Sequence, residues 1–149
     1  MKITAGHQQA MPYLVVDKAE DFIDFIRRIF NAQEMLRRLD VDHKIQHSEI
    51  KIGESTLFLT EATAYNPARP GSMYVYVEDT DLTFMNAIDL GAKALMQPSE
   101  EDNGTREAGF KSSCLFQFCN TAEDSKIQAQ TQGQISLAGF NQSKSVHRE

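Results

Sequence analysis

One pattern occurs twice along this chain, roughly sixty residues apart, and it narrows the folds open to it. The first copy opens with Met11 to Val16, a short apolar run rich in β-formers, followed by Asp17. The second opens with Met73 to Val77, followed by Glu78 and Asp79. Behind the first run, Phe22, Phe25, Ile26, Ile29 and Phe30 recur at helical spacing and mark one apolar stripe. Behind the second, Phe84, Ala87 and Ile88 do the same, and Phe84 and Ile88 stand 62 residues beyond Phe22 and Ile26. Asn31-Ala32 closes the first stripe and Gly91-Ala92 the second, 60 residues on. Asn and Gly both tolerate the left-handed conformation that stops a helix. A unit of strand, helix and strands that occurs twice points to duplication and a pseudo-twofold α+β fold, not to a solenoid. Chance similarity between two amphipathic units is the alternative the pattern leaves open.

The intervening segments fill in the units. Glu34 to Leu39 reads as a strand. Ile45 to Ile52 and Ser55 to Thr60 are two clear strands around a Gly53-Glu54 hairpin turn. Tyr65 to Gly71, with Pro67 and Pro70, is a linker. Asp79, Thr80 and Asp81 offer N-cap oxygens to the second helix. Ala92 to Met96 is a strand, Pro98 to Gly104 a polar loop, and Gly109 to Phe118 the last two strands around a turn. From Asn120 to Glu149 the chain is rich in Gln and Ser and loses its periodicity. We therefore expect one domain over 1–120, with halves of about 11–64 and 72–119, and a weakly structured tail over 121–149. A short strand at Gln134 to Ala138 is the one element expected in that tail.

Composition excludes several classes. The chain has 149 residues, 41% hydrophobic and 24% charged, which suits one globular domain with a real core. Its formal net charge is -6 and it has no basic run, which argues against nucleic acid and anionic membrane surfaces as partners. No apolar stretch approaches a membrane span. Met1 to Ala10 lacks the apolar core of a signal peptide, so the cytoplasm is the expected location. Cys114 and Cys119 are too few for a disulfide framework and are expected as reduced thiols.

Several segments taken in order resemble a known superfamily: MPYLVV, DFIDFIRRIFNAQE, KIQHSEIKIGESTLFLTEA, MYVYVEDTDLTFMNAIDLGAKALMQP and NGTREAGFK. Their order and spacing over Met11 to Lys111 look like the vicinal-oxygen-chelate superfamily, in its glyoxalase/bleomycin-resistance-like, PhnB-like branch. The resemblance implies two βαβββ modules whose strands form a half-open curled sheet, with helices on the convex side and a cavity on the concave side. It also implies a homodimer. Two departures stand out. The Asp-Pro-aromatic-Gly-Asn turn before the last strand is replaced by Lys111 to Phe118, and the tail beyond is unlike the family.

Metal-dependent members of the superfamily take one His or Glu from each of four strands, and the metal stabilises an enolate or polarises dioxygen. By motif order, those positions fall near Met11, Leu57 or Leu59, Ser72 and Cys119. None is a His or a carboxylate, so no metal and no other cofactor is expected. His7 precedes the first strand by a few residues. His43 and His47 would be roughly 13 Å apart in a strand and do not form a metal pair.

Strand alternation selects candidate cavity residues. If Ile50 and Ile52 pack on the helices, His47 and Glu49 face the cavity. If Met73, Val75 and Val77 pack on the helices, Ser72, Tyr74 and Tyr76 face it. Arg106 matches a family Gly-Asp-Arg pattern that places it on a loop at the cavity mouth. The expected ligand-binding set is therefore His47, Glu49, Tyr74, Tyr76 and Arg106. Each has a plainer reading: a hydrogen-bonded strand pair for His47 and Glu49, wall packing for the tyrosines, a structural ion pair for Arg106. Glu61 stands either at the cavity rim or in solvent.

Three functions follow. The first is metal-independent binding of a small molecule, as in antibiotic or toxin sequestration. The second is a lyase, isomerase or dioxygenase with a divalent metal. The third is a non-catalytic accessory protein of the same fold. Catalytic residues are not assigned.

Overall fold

The two helices end where the sequence supplies left-handed residues. Asn31 follows the first helix with φ 51°, and Gly91 follows the second with φ 89°. The computed structural model describes residues 1–114 and 116–123. In the first half, β1 (Tyr13–Val16), α1 (Ala19–Phe30), β2 (Gln33–Leu39), β3 (Ile45–Ile52) and β4 (Ser55–Glu61) follow in order. In the second, β5 (Gly71–Tyr76), α2 (Thr80–Asp89), β6 (Lys93–Glu100), β7 (Thr105–Lys111) and β8 (Phe116–Glu123) repeat it.

Each half forms its own four-stranded mixed sheet, in the orders β1-β4-β3-β2 and β5-β8-β7-β6. The pairs β1–β4 and β5–β8 are parallel and the rest antiparallel. The two sheets are not closed into a barrel. The α+β class and the two βαβββ units are as the sequence implies.

The duplication extends to the hydrogen-bonding register. Tyr13 pairs with Phe58, and Tyr74 pairs with Cys119, both partners shifted by 61 residues. Leu36 pairs with Glu49, and Met96 with Gly109, both shifted by 60. Even the bulges repeat: Met35 and Leu95 are each the extra residue in β2 and β6. Two unrelated amphipathic units would not share register and bulges.

The helix stripes make one core that spans both halves. Phe22, Ile26, Ile50, Leu59, Phe110 and Phe118 are fully or almost fully buried in it. Rings from α1 reach the other half's sheet: Phe22 lies 5.6 Å from Phe116, and Phe30 lies 5.3 Å from Phe118. Losing one such ring to alanine typically costs ~3–5 kcal/mol.

The helix starts differ. Asp79 caps α2 by accepting from the Leu82 N–H at 2.9 Å. Lys18, before α1, is left-handed and supplies no side-chain cap. Instead Glu61, at the end of β4, accepts from the N–H groups of Lys18 at 2.9 Å and Ala19 at 2.7 Å. Glu61 is thus a helix cap, neither a rim group nor a solvated one.

Other boundaries move. β6 runs through Pro98 to Glu100, where the sequence suggests a loop. Pro98 is tolerated because β6 is an edge strand and a register shift falls between Met96 and Ser99. β8 continues through Asn120 to Glu123. The remainder of the expected tail, with the strand at Gln134 to Ala138, lies outside the described residues. Among the described residues no helix is long and apolar enough to cross a membrane.

Candidate functional site

Each sheet has one face under the helices and one free of them. In β3, Ser48 and Ile50 are buried on the helix side, which turns His47 and Glu49 to the helix-free face. The alternation breaks at one point. Arg38 pairs with His47 and Leu39 with Ile45, so Gln46 is an extra, bulged residue. Ile45 is consequently buried and Gln46 exposed, the reverse of strict alternation.

On this first face Glu49 is a hub. Its two carboxylate oxygens face different imidazoles: Oε2 lies 2.9 Å from His7 Nε2, and Oε1 lies 3.3 Å from His47 Nε2. A carboxylate only accepts, so each Nε2 carries the proton and donates. Phe58 presents its ring to both imidazoles, with centroids 5.4 Å from His7 and 4.9 Å from His47. The His7 hydrogen bond, helped by His47, holds the Glu49 carboxyl below the usual carboxylate range. His7 reaches the face because the N-terminal segment is pinned to the sheet. Thr56 donates its hydroxyl to the Gly6 carbonyl at 2.8 Å, and the Gln8 amide donates to the Glu54 carbonyl at 2.8 Å.

The second face is built on β5, β8 and β7. Val75 is buried in the core, and Tyr74 and Tyr76 project from the other side, 49% and 70% exposed. Their ring centroids are 5.7 Å apart and their planes meet at 71°. The Tyr74 hydroxyl donates a short hydrogen bond to Glu107, and the Cys119 sulfur lies 3.8 Å from the same carboxylate. Glu107 pushes the Tyr74 phenol up from its ordinary value. Burial, then the Glu107 charge, pushes the Cys119 thiol up. Both therefore stay protonated and neutral at physiological pH.

Arg106 is elsewhere. It lies inside β7, not on a loop, and points to the face opposite Glu107. Asp81, in the first turn of α2, engages its guanidinium through Nε and, at 2.8 Å, through Nη2. The Arg106 carbonyl also accepts from the Thr80 hydroxyl. The structural ion pair is the arrangement observed, and Arg106 is not at a cavity mouth.

The four positions that the resemblance implies as metal ligands do not suit a hard divalent ion in this chain. Leu57 and Leu59 are buried in the core, so the β4 residue on the helix-free face is Phe58. The set becomes Met11, Phe58, Ser72 and Cys119, which offers a hydroxyl and a protonated thiol. Among the described residues no group of three or more His, Cys, Asp or Glu has the geometry to hold a metal ion.

The expected site residues therefore fall into three places: His47 with Glu49, Tyr74 with Tyr76, and Arg106 with Asp81. No hydrogen bond or ring contact joins the first two groups. Glu107 is the residue that the sequence argument missed. Its signal was available, because Ala108 and Phe110 are apolar core residues and alternation then turns Glu107 outward. The His7 contact with Glu49 spans 42 residues, so nothing local in the sequence signals it.

No family model matches the chain. An uncharacterized protein of Mycobacterium bovis is 28% identical over 106 residues, covering 64% of this chain and 70% of that protein. An uncharacterized protein of Mycobacterium tuberculosis is likewise 28% identical over 106 residues, and the match spans only 62% of its length. Among solved structures, TioX from Micromonospora sp. ML1 superposes with TM-score 0.64 at 17% identity, covering 78% of this chain and all of TioX. A PhnB protein from Bacillus cereus superposes with TM-score 0.63 at 13% identity, over 77% of this chain and 99% of that protein. FosX from Listeria monocytogenes, a fosfomycin resistance protein solved with Mn(II) and sulfate, gives TM-score 0.61 at 14% identity, over 84% and 94%.

Proposed function

We propose that this chain, which has the fold of the vicinal-oxygen-chelate superfamily, binds a small molecule without a metal, in the manner of glyoxalase/bleomycin-resistance-like proteins. One observation carries the reading. The four positions that would hold the metal are Met11, Phe58, Ser72 and Cys119, while the same faces keep ordered polar anchors in aromatic walls. Glu49 is fixed by two imidazoles over Phe58, and Glu107 is fixed by the Tyr74 phenol beside Tyr76. Binding sites of this kind need apolar area and a few placed polar groups. They do not need a ligand set for a metal.

In this reading the protein works in the cytoplasm as a homodimer. Support for the dimer is the resemblance and the open tyrosines on the second face. Sedimentation at micromolar concentration tests it: a mass of two chains is expected, and a clean monomer contradicts it.

A second reading has one specific observation in its favour. His7, Glu49 and His47 bring two imidazoles and a carboxylate together on one face, the residue types that a metal-dependent lyase, isomerase or dioxygenase uses. Against it, each imidazole is satisfied by a separate carboxylate oxygen. Elemental analysis of purified, untagged protein after growth with Zn, Ni, Mn and Fe separates the two. Substoichiometric metal is expected. About one tightly held ion per chain, lost in His47→Ala, would replace the first reading with the second.

A further inference from the structure

The second helix-free face holds a negative charge beside two open phenol rings, and no cation among the described residues answers it. Glu107 accepts only from neutral groups: the Tyr74 hydroxyl, the Thr105 hydroxyl at 3.4 Å and the Cys119 thiol at 3.8 Å. Neutral donors satisfy lone pairs of a carboxylate without cancelling its charge. Among the described residues no Lys, Arg or His forms an ion pair with it. The neighbouring arginine, Arg106, is on the opposite face and committed to Asp81. Tyr74 and Tyr76 meet at 71° and form an aromatic corner open to solvent. The ring faces carry partial negative charge and attract cations within about 6 Å.

Next to this corner runs a groove of about 1060 Å³, with Tyr74 and Tyr76 in its wall. Its apolar lining includes Ile52 and Leu82, and its acidic lining Glu54, Glu78 and Asp79. Its basic residues, Arg28 and Lys51, are each paired already, with Asp24 and Glu54. Charge and shape together suit one class of ligand. We propose that the Tyr74–Tyr76 corner, backed by Glu107, binds the ammonium or guanidinium head of a small organic cation whose apolar remainder lies in the groove. This rests on the binding reading above and narrows it to a ligand charge.

The test is an NMR titration of the ¹⁵N-labelled full chain with benzyltrimethylammonium, with benzyl alcohol and benzoate as neutral and anionic analogues. Saturable shifts centred on Tyr74, Tyr76 and Glu107 are expected for the cation alone. Glu107→Gln and Tyr76→Leu should each weaken it about fivefold. Tyr76 is 70% exposed, so its variant keeps the fold even if Glu107→Gln does not. The assignment is overturned if benzoate or benzyl alcohol binds this corner as tightly, if the cation's shifts map elsewhere, if Tyr76→Leu leaves its affinity unchanged, or if the cation does not saturate. None of these results touches the broader binding reading, which fails only when a wide library of all charge types leaves the melting temperature unmoved.

Discussion

Tyr74 on β5 reaches across β8 and donates to Glu107 on β7, tying an edge strand to the strand beyond its neighbour. Cys119, in register with both Tyr74 and Gly109, lies between them. The carboxylate raises the phenol's pKa above its ordinary value of about 10. Unfolding returns the phenol to that value. The bond's contribution is therefore complete below about pH 10 and is lost as pH climbs through the folded pKa. A Tyr74→Phe difference spectrum should show tyrosinate forming later than in a free tyrosine, and Glu107→Gln should bring it earlier. An unchanged step in Glu107→Gln would contradict the pairing.

Glu49 behaves with the opposite sign. Its carboxyl is held low, first by His7 and then by His47. The stability it contributes is present above the ordinary carboxyl value of about 4.3 and disappears as pH falls through the lower folded value. Urea midpoints measured from neutral to acid pH should fall across that window. His7→Ala should raise the Glu49 pKa and shrink the acid-dependent loss. An identical acid limb in the variant would show that His7 does not hold Glu49.

Much of the architecture is legible in the sequence because it depends on short-range periodicity. The stripe of Phe22, Ile26 and Phe30, the stops at Asn31 and Gly91, and the cap at Asp79 are local choices, and each is found in place. The sites depend on longer-range facts. Glu61 caps a helix that begins 42 residues earlier, and nothing near Glu61 announces it. Alternation placed His47, Glu49, Tyr74 and Tyr76 on the correct faces. Motif order, by contrast, puts the β4 metal position near Leu57 or Leu59; both are core residues, and the parity of β4 turns Phe58 to the helix-free face instead. Arg106 was placed by a family pattern, and its orientation follows from β7 starting at Thr105, ahead of the expected boundary.

The Glu61 cap has a measurable cost of removal. Two helix-terminal N–H groups lose their acceptor in Glu61→Ala, so urea unfolding should show a loss of about 1–2 kcal/mol. Glu61→Gln, which keeps one acceptor oxygen, should lose less. A neutral Glu61→Ala would mean that solvent satisfies the start of α1 equally well.

Arg106 and Asp81 give the contrasting case. Their side chains are 36% and 46% exposed, so solvent screens the pair. Arg106→Gln should leave the urea midpoint nearly unchanged and ligand affinity unchanged. A variant that binds small molecules much more weakly would return Arg106 to the binding site.

The most direct test of metal-independent binding is a thermal-denaturation screen of EDTA-treated protein against a small-molecule library, repeated with divalent metals restored. A ligand that binds only the native state raises the melting temperature by mass action. The account predicts ligands that stabilise the metal-free protein and do so equally after metal is returned. Stabilisation that occurs only with metal present would contradict it and make the His7–Glu49–His47 group the place to look.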